Sequence, residues 1–246
     1  EGSNVLLPEE KHAVAVHESG HAMVAALSEH ADPVAKVTIL PAGQTLGVTE
    51  QLPLVERHMY SEDYLLDSLA VRLGGRAAEL VVIGQGSTGA SNDLAGATDL
   101  AVKMVREFGL SEKLGPIGYP EGGSVFLGGG GSPMSSRPFA EATQAIIDEE
   151  VSRLLRQAED RAVELLSGHR PELDSLVSLL LDVETVDGSD VYRLAGRPDR
   201  SESLPPVPPT TAVSAPQRAA ATDAGTTPLT ADATTGPMPA DRPDGR

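Results

Sequence analysis

The sequence predicts a mainly α-helical domain carrying one small β hairpin or sheet. Three observations lead there. Apolar residues recur at helical spacing through most of the first 196 positions, and β-branched runs are confined to two short stretches. The apolar content is aliphatic, 40% hydrophobic but only 3% aromatic, which suits helices packed through Ala, Leu and Val. A chain of 246 residues holds one substantial core, or one domain plus a tail.

Taken in order, Pro8 followed by Glu9 and Glu10 starts a helix that runs to about Ser28. Residues 34–40, with Val37, Thr38 and Ile39, read as a strand, and Pro41-Ala42-Gly43 turns the chain into a second short strand near 46–50. A helix spans about 61–83, with Leu65, Leu66, Leu69, Leu73, Ala77 and Leu80 facing inward. Residues 84–89 break the chain, Ser91-Asn92-Asp93 caps the next helix, and Gly109 ends it. Gly128 to Gly131 is expected to form a mobile loop. A long amphipathic helix covers about 139–167 on a stripe of Ile147, Val151, Leu154, Ala158, Ala162 and Leu165, and Pro171 opens a partner helix to about 181, completing a C-terminal helical hairpin.

From 197 to 246 the composition changes to Pro, Ala, Thr, Ser and Asp, with no aromatic after Tyr192. Such a segment buries too little apolar surface to offset its chain entropy and is expected to be disordered. Residues 1–196 are therefore read as the folded domain. The formal net charge is −17, and the nearly neutral tail leaves the acidity in the domain. An acidic field argues against nucleic acid or an anionic membrane surface as a partner, and no nucleic acid is expected. No cysteine occurs, so disulfides, thiol catalysis and Cys-based zinc ribbons are excluded, and any metal must be held by His, Asp or Glu. No apolar run reaches the ~18 residues of a membrane span, so this stretch is expected to be soluble. It opens at Glu1 rather than Met and reads as part of something longer or as a processed form.

The chemistry centres on His17-Glu18-Ser19-Gly20-His21 in the first helix. Histidines four apart share a helical face and reach one Zn²⁺ together. The glutamate beside the first histidine is placed to take a proton from water that zinc has acidified. The bland alternative is a pair of core histidines on the stripe of Ala13, Val14, Val24 and Ala25. Burying two imidazoles and a carboxylate there without a metal would be costly. Zinc needs a third protein ligand. The metzincin extension is absent, because Val24 and Leu27 stand where Gly and His would be required. Two carboxylates compete: Asp93, which would otherwise be a helix N-cap, and Glu79, which would otherwise pair with Arg76 at i,i+3. His12, His30, His58 and His169 read as surface residues. The strand at 34–40 offers either an edge for an extended substrate or a purely structural hairpin.

The segments HESGH, KVTILPAGQTLGVTEQLP (36–53), LGGRAAE (73–79), STGASNDL (87–94), FGLSEKLGP (108–116) and VFLG (125–128) together resemble the peptidase domain of FtsH-type AAA proteases, membrane-anchored ATP-dependent zinc metalloproteases. The resemblance covers about residues 5 to 195. It implies one zinc bound by His17, His21 and Asp93, Glu18 as the base, and Glu79 behind the ligands, holding them in place. It also implies an endopeptidase for unfolded or damaged proteins, membrane and soluble, and a homo-hexamer with its peptidase domains on the cytoplasmic side of the bacterial plasma membrane. Ser19 replaces the family's usual alanine, and Ala42 stands where an arginine is common. No Gly-Lys pair occurs, hence no G-x-x-x-x-G-K-[ST] loop. ATP would act through an ATPase domain expected to precede Glu1 or to sit on another chain. An assembly module with an inactive site is the rival reading, and an intact ligand set with Glu18 weighs against it.

Overall fold

The computed structural model describes residues 7–41, 47–52, 59–119 and 139–200. Helix α1 (Pro8–Leu27) leads into strands β1 (Val34–Thr38) and β2 (Val48–Gln51). Helix α2 (Glu62–Val82) follows, then a single 3₁₀ turn (Thr88–Ala90) that runs straight into α3 (Ser91–Arg106). After α4 (Glu141–Gly168) come α5 (Arg170–Val183), β3 (Thr185–Asp187) and α6 (Gly188–Leu194). No described helix is long and apolar enough to cross a membrane. The expected mobile loop at 128–131, Ala42, His58 and the tail from 201 lie outside the described residues.

Local chemistry accounts for the helix ends. Pro8 occupies the first turn of α1, where its missing N–H costs nothing. Glu10 Oε2 accepts the Leu7 N–H at 2.8 Å, and Ser61 Oγ accepts the Tyr64 N–H at 3.2 Å at the start of α2. Beyond α3, Gly109 takes φ +68°, a conformation glycine adopts without a Cβ penalty. The cap expected of Ser91-Asn92-Asp93 is not formed. The N-cap of α3 is Ala90 without a side-chain bond, because the preceding 3₁₀ turn is already capped by Ser87, whose Oγ accepts the Gly89 N–H at 3.1 Å. Asp93 is thereby released to point elsewhere.

Two apolar clusters build the core, and α2 belongs to both. Its Ala70, Val71, Ala77 and Ala78 face α1, α5, α6 and the sheet, while Leu65, Leu69 and Leu73 face α3 and α4. Complete burial of side chains such as Leu69 and Met104 contributes about 1.5–3 kcal/mol each. Helix α4 lies on α2 and α3, and α5 lies on α1, with only His169 between the two. The stripe of α4 ends on buried Leu166 rather than on Leu165.

The helices α1 and α2 meet backbone to backbone. A Cβ on Gly20 would lie 2.2 Å from the Gly74 carbonyl oxygen, so neither glycine can be replaced without separating the helices. Buried Asp67 of α2 ties this layer to its neighbours, accepting the His30 N–H at 2.9 Å and pairing with Arg161 at 2.6 Å.

The sheet is antiparallel with strand order β2-β1-β3. Register runs Val37 opposite Thr49 on one side and Val37 opposite Val186 on the other. Both edges of β1 are thus occupied, which removes the substrate edge anticipated for residues 34–40. Among the described strands the outer positions belong to β2 and β3, and β2 is the one whose Thr49 reaches Glu18 of α1. Tyr192, fully buried, accepts the Val34 N–H at its hydroxyl, 3.2 Å away. Beyond α6, Arg200, which the sequence reading assigns to the tail, donates to Ser28 O at 3.1 Å and to Ala31 O at 2.7 Å. A cation there meets carbonyls at the C-terminal end of α1.

Candidate metal centre

His17 and His21 project from successive turns of α1, and their Nε2 atoms lie 3.0 Å apart. Asp93, in the first turn of α3, brings Oδ2 to 3.1 Å from His17 Nε2 and 3.6 Å from His21 Nε2. The three ligand-capable atoms lie within 4.8 Å of one another. Gly75 of α2 makes room for them. A Cβ there would fall 2.5 Å from His17 Nε2 and 2.6 Å from His21 Nε2.

The outer nitrogens determine what the inner ones offer. His21 Nδ1–H donates to the Val71 carbonyl at 2.7 Å. His17 Nδ1–H donates to Glu79 Oε1 at 2.8 Å. Both acceptors lack a proton, so each neutral imidazole carries its hydrogen on Nδ1 and a lone pair on Nε2. Two lone pairs and a carboxylate oxygen then converge on one point. That arrangement is stable only around positive charge, either a proton or a metal ion. The pKa shifts agree. Burial pulls His17 down, yet hydrogen bonds to Asp93 and Glu79 outweigh it and hold the imidazole above its ordinary value. Burial pushes Asp93 up, but its bonds to His17 and His21 and their charges hold the carboxyl far below the usual carboxylate range. Two imidazole nitrogens and one carboxylate oxygen, with room for a fourth donor, suit the coordination habit of zinc at catalytic sites.

Glu79 does not join the ligand atoms. It is 2% exposed and faces away from them, with Oε1 accepting from His17 Nδ1 and from Ser87 Oγ at 2.9 Å, and Oε2 accepting the Ser87 N–H at 2.5 Å. The alternative ion pair with Arg76 is not formed, since Arg76 turns to Glu159 at 2.7 Å. Glu79 thus joins the α2 end of the site to the turn that delivers Asp93.

Glu18 lies on the other side of the histidines. Thr49 Oγ1 donates to its Oε2 at 2.8 Å and also lies 3.1 Å from its backbone oxygen. Gly47 leaves space for the carboxylate, because a Cβ there would sit 2.9 Å from Oε1. The site opens into a cleft of about 850 Å³ between β2 and α2. Of the surface histidines, His12 and His30 are exposed, and His169 is half-buried with its Nδ1 2.9 Å from the Leu165 carbonyl oxygen.

Sequence reasoning missed Thr49, Ser87, the Val71 carbonyl and Gly75. Only Gly75 carried a signal: two adjacent glycines inside a helix cost about 1 kcal/mol each relative to alanine, so they mark a close approach.

Residues 4–194 match the model of peptidase family M41. The chain belongs to peptidase family M41. Relatives of this M41 chain include the "ATP-dependent zinc metalloprotease FtsH" of Acidothermus cellulolyticus, 65% identical over 198 residues, 80% of this chain and 30% of the relative. The protein of the same name from Acidimicrobium ferrooxidans is 50% identical over 200 residues, again 80% and 30%. That of Acidobacterium capsulatum is 42% identical over 208 residues, 84% and 32%. The M41 chain therefore spans about three-tenths of the length of these curated relatives.

Proposed function

We propose that this chain is the proteolytic part of an ATP-dependent, FtsH-type zinc metalloprotease and hydrolyses peptide bonds of unfolded or damaged proteins. The observation that carries the reading is the convergence of His17 Nε2, His21 Nε2 and Asp93 Oδ2 beside the Glu18 carboxylate. His17, His21 and Asp93 are the zinc ligands, Glu18 is the general base, and Glu79 holds His17 in the tautomer that presents Nε2. Bound zinc supplies Lewis acidity, lowering the pKa of water and polarising the scissile carbonyl.

The chain's own groups do the rest. Thr49 occupies Glu18 Oε2, which leaves Oε1 to take a proton from the attacking water. The water oxygen bonds to the carbonyl carbon, and Glu18 returns the proton to the amide nitrogen as the C–N bond breaks. The substrate backbone lies extended along β2, the free strand edge nearest Glu18, where main-chain hydrogen bonds hold it without regard to sequence. Residues 1–196 form the peptidase domain and 197–246 a Pro/Ala/Thr-rich tail. In the whole protein the domain sits on the cytoplasmic side of a membrane-anchored homo-hexamer, with the ATPase outside these residues. The names of the relatives support the zinc and ATP parts of this reading.

The roles separate experimentally. Glu18→Gln retains zinc and loses proteolysis, by about 10²–10⁴-fold for loss of a general base. Asp93→Ala loses zinc, because two histidines leave the coordination sphere incomplete. Metal analysis alongside a casein digest reads both. Normal zinc in Asp93→Ala together with lost zinc in Glu79→Ala would overturn the ligand assignment.

A further inference from the structure

We propose that Arg72 determines specificity in the cleft: its guanidinium receives an acidic substrate side chain within about two residues of the bond that is cut. The inference rests on the peptidase reading above and adds a substrate preference to it.

Arg72 is exposed and lines the cleft, and it is the one lysine or arginine among the described residues that do so. The charged residues around the cleft are otherwise acidic and already engaged. Glu10 caps the Leu7 N–H, Glu18 holds Thr49, and Asp32 accepts from the Tyr64 hydroxyl at 2.7 Å. Glu79 and Asp93 are taken by the histidines. Arg72 pairs with none of them. Its neighbour one turn on, Arg76, does find a carboxylate in Glu159. In a chain with 36 acidic and 19 basic residues, a guanidinium left without an ion pair among the described residues at the mouth of the reaction site calls for a partner from outside.

Two helices place it close to the metal ligands. On α2, Arg72 follows Val71, whose carbonyl fixes His21, and precedes by three residues Gly75, which backs both imidazoles. Three residues of helix rise about 4.5 Å. On α3, Gly96 stands three residues beyond Asp93, and a Cβ built on it would lie 2.8 Å from Arg72 Nη1. The guanidinium therefore lies beside Gly96, about one turn of α3 beyond the ligand Asp93, while its Cα stands one turn of α2 before Gly75, in the wall of the cleft that β2 also lines. An extended peptide advances about 3.3 Å per residue, so the side chain it meets belongs to a residue adjoining the scissile bond. The planar fork of arginine bonds a carboxylate through two parallel N–H groups. Elsewhere the acidic walls repel acidic side chains, which confines the preference to a single subsite.

The test uses the zinc-loaded chain and unstructured quenched peptides carrying Asp, Asn or Lys at each position from two before to two after the cleaved bond. At one position Asp should be preferred over Asn by up to about fivefold in kcat/KM, the scale of a solvent-exposed ion pair, with Lys disfavoured similarly. Arg72→Gln should abolish the ordering within its own peptide set, Arg72→Lys should keep it, and Arg72→Glu should invert it. Zinc content and far-ultraviolet circular dichroism establish that each variant is folded. Peptide affinities measured by fluorescence anisotropy in the Glu18→Gln background should follow the same order without any turnover. An Asp preference that survives Arg72→Glu, or equal loss on all peptides in Arg72→Gln, which would make Arg72 a main-chain contact, overturns the inference. Failure of the zinc-loaded chain to cleave any peptide overturns the peptidase reading instead, and the affinities then decide Arg72 alone.

Discussion

Replacing Glu79 by glutamine removes one negative charge and exchanges one acceptor for a donor at a position only 2% exposed. The carboxylate now accepts three hydrogen bonds, from His17 Nδ1, Ser87 Oγ and Ser87 N. A glutamine satisfies them in neither orientation. With its oxygen at the Oε1 position, the amide NH₂ confronts the Ser87 N–H. With its oxygen at Oε2, the NH₂ confronts His17 Nδ1 and favours the tautomer whose proton sits on Nε2, where the metal's electron pair should be. The first orientation keeps a buried donor–donor clash of about 1–3 kcal/mol, and the second relieves it only by giving up the lone pair on His17 Nε2. Most of that cost falls on the zinc-binding geometry, so zinc affinity should weaken about 10–100-fold, the usual effect of losing a group that orients a ligand. Competition against a chromophoric chelator measures the affinity, and a thermal melt of the zinc-free chain reports folding separately. Unchanged zinc affinity with a lowered melting temperature would refute the reasoning and leave Glu79 as a tie between α2 and the 87–90 turn.

Three further outcomes are expected. Thr49→Val removes the only side-chain donor to Glu18 among the described residues and should lower kcat about tenfold, equivalent to about 1.5 kcal/mol for a bond to a charged group, with zinc retained; an unchanged kcat would show that the Glu18 position does not depend on β2. Ser19→Ala deletes a fully buried hydroxyl that has no hydrogen-bond partner among the described residues and should raise the melting temperature by about 2–4 °C, corresponding to roughly 1 kcal/mol; a lower melting temperature would mean that the hydroxyl is bonded. The chain should degrade an unfolded polypeptide in a chelator-sensitive reaction and spare a stable folded domain, whose openings cost about 5–15 kcal/mol. Added ATP should not change that rate, since no Gly-Lys pair exists to form a phosphate-binding loop; acceleration by ATP would contradict this.

What was legible in the sequence was whatever is encoded locally. The i,i+4 spacing of His17 and His21 with Glu18 between them identified the chemistry, and helical periodicity with Pro8, Ser61 and Gly109 placed α1 to α5 within a few residues. The three-residue β3 and the seven-residue α6 were not anticipated. Residues 185–187 become a strand only by pairing with β1, nearly 150 positions earlier, and so short a segment has no period of its own. The same reason hid the edge: β1 reads as a hairpin strand until β3 covers its second side. Asp93 could not be separated from Glu79 on spacing, because the choice depends on a 3₁₀ turn that takes over the capping and on the distance between α2 and α3. Thr49 and Ser87 are ordinary hydroxyls whose roles arise only from tertiary placement.

The Gly20–Gly74 crossing has a consequence for how the chain tolerates change. Side-chain packing elsewhere relaxes in part when it is cut back, and truncating a leucine lets its neighbours move into some of the space left. At this crossing two backbones already touch, so no interposed side chain exists to be shortened. The histidines of one helix and the carbonyl, glycine and glutamate that support them on the other are therefore spaced by direct backbone contact. Substitutions in the outer core should erode thermal resistance while leaving the dimensions of the metal pocket unchanged. A lineage of this protein can thus adjust to hot or cold surroundings by redesigning its leucines without retuning its chemistry.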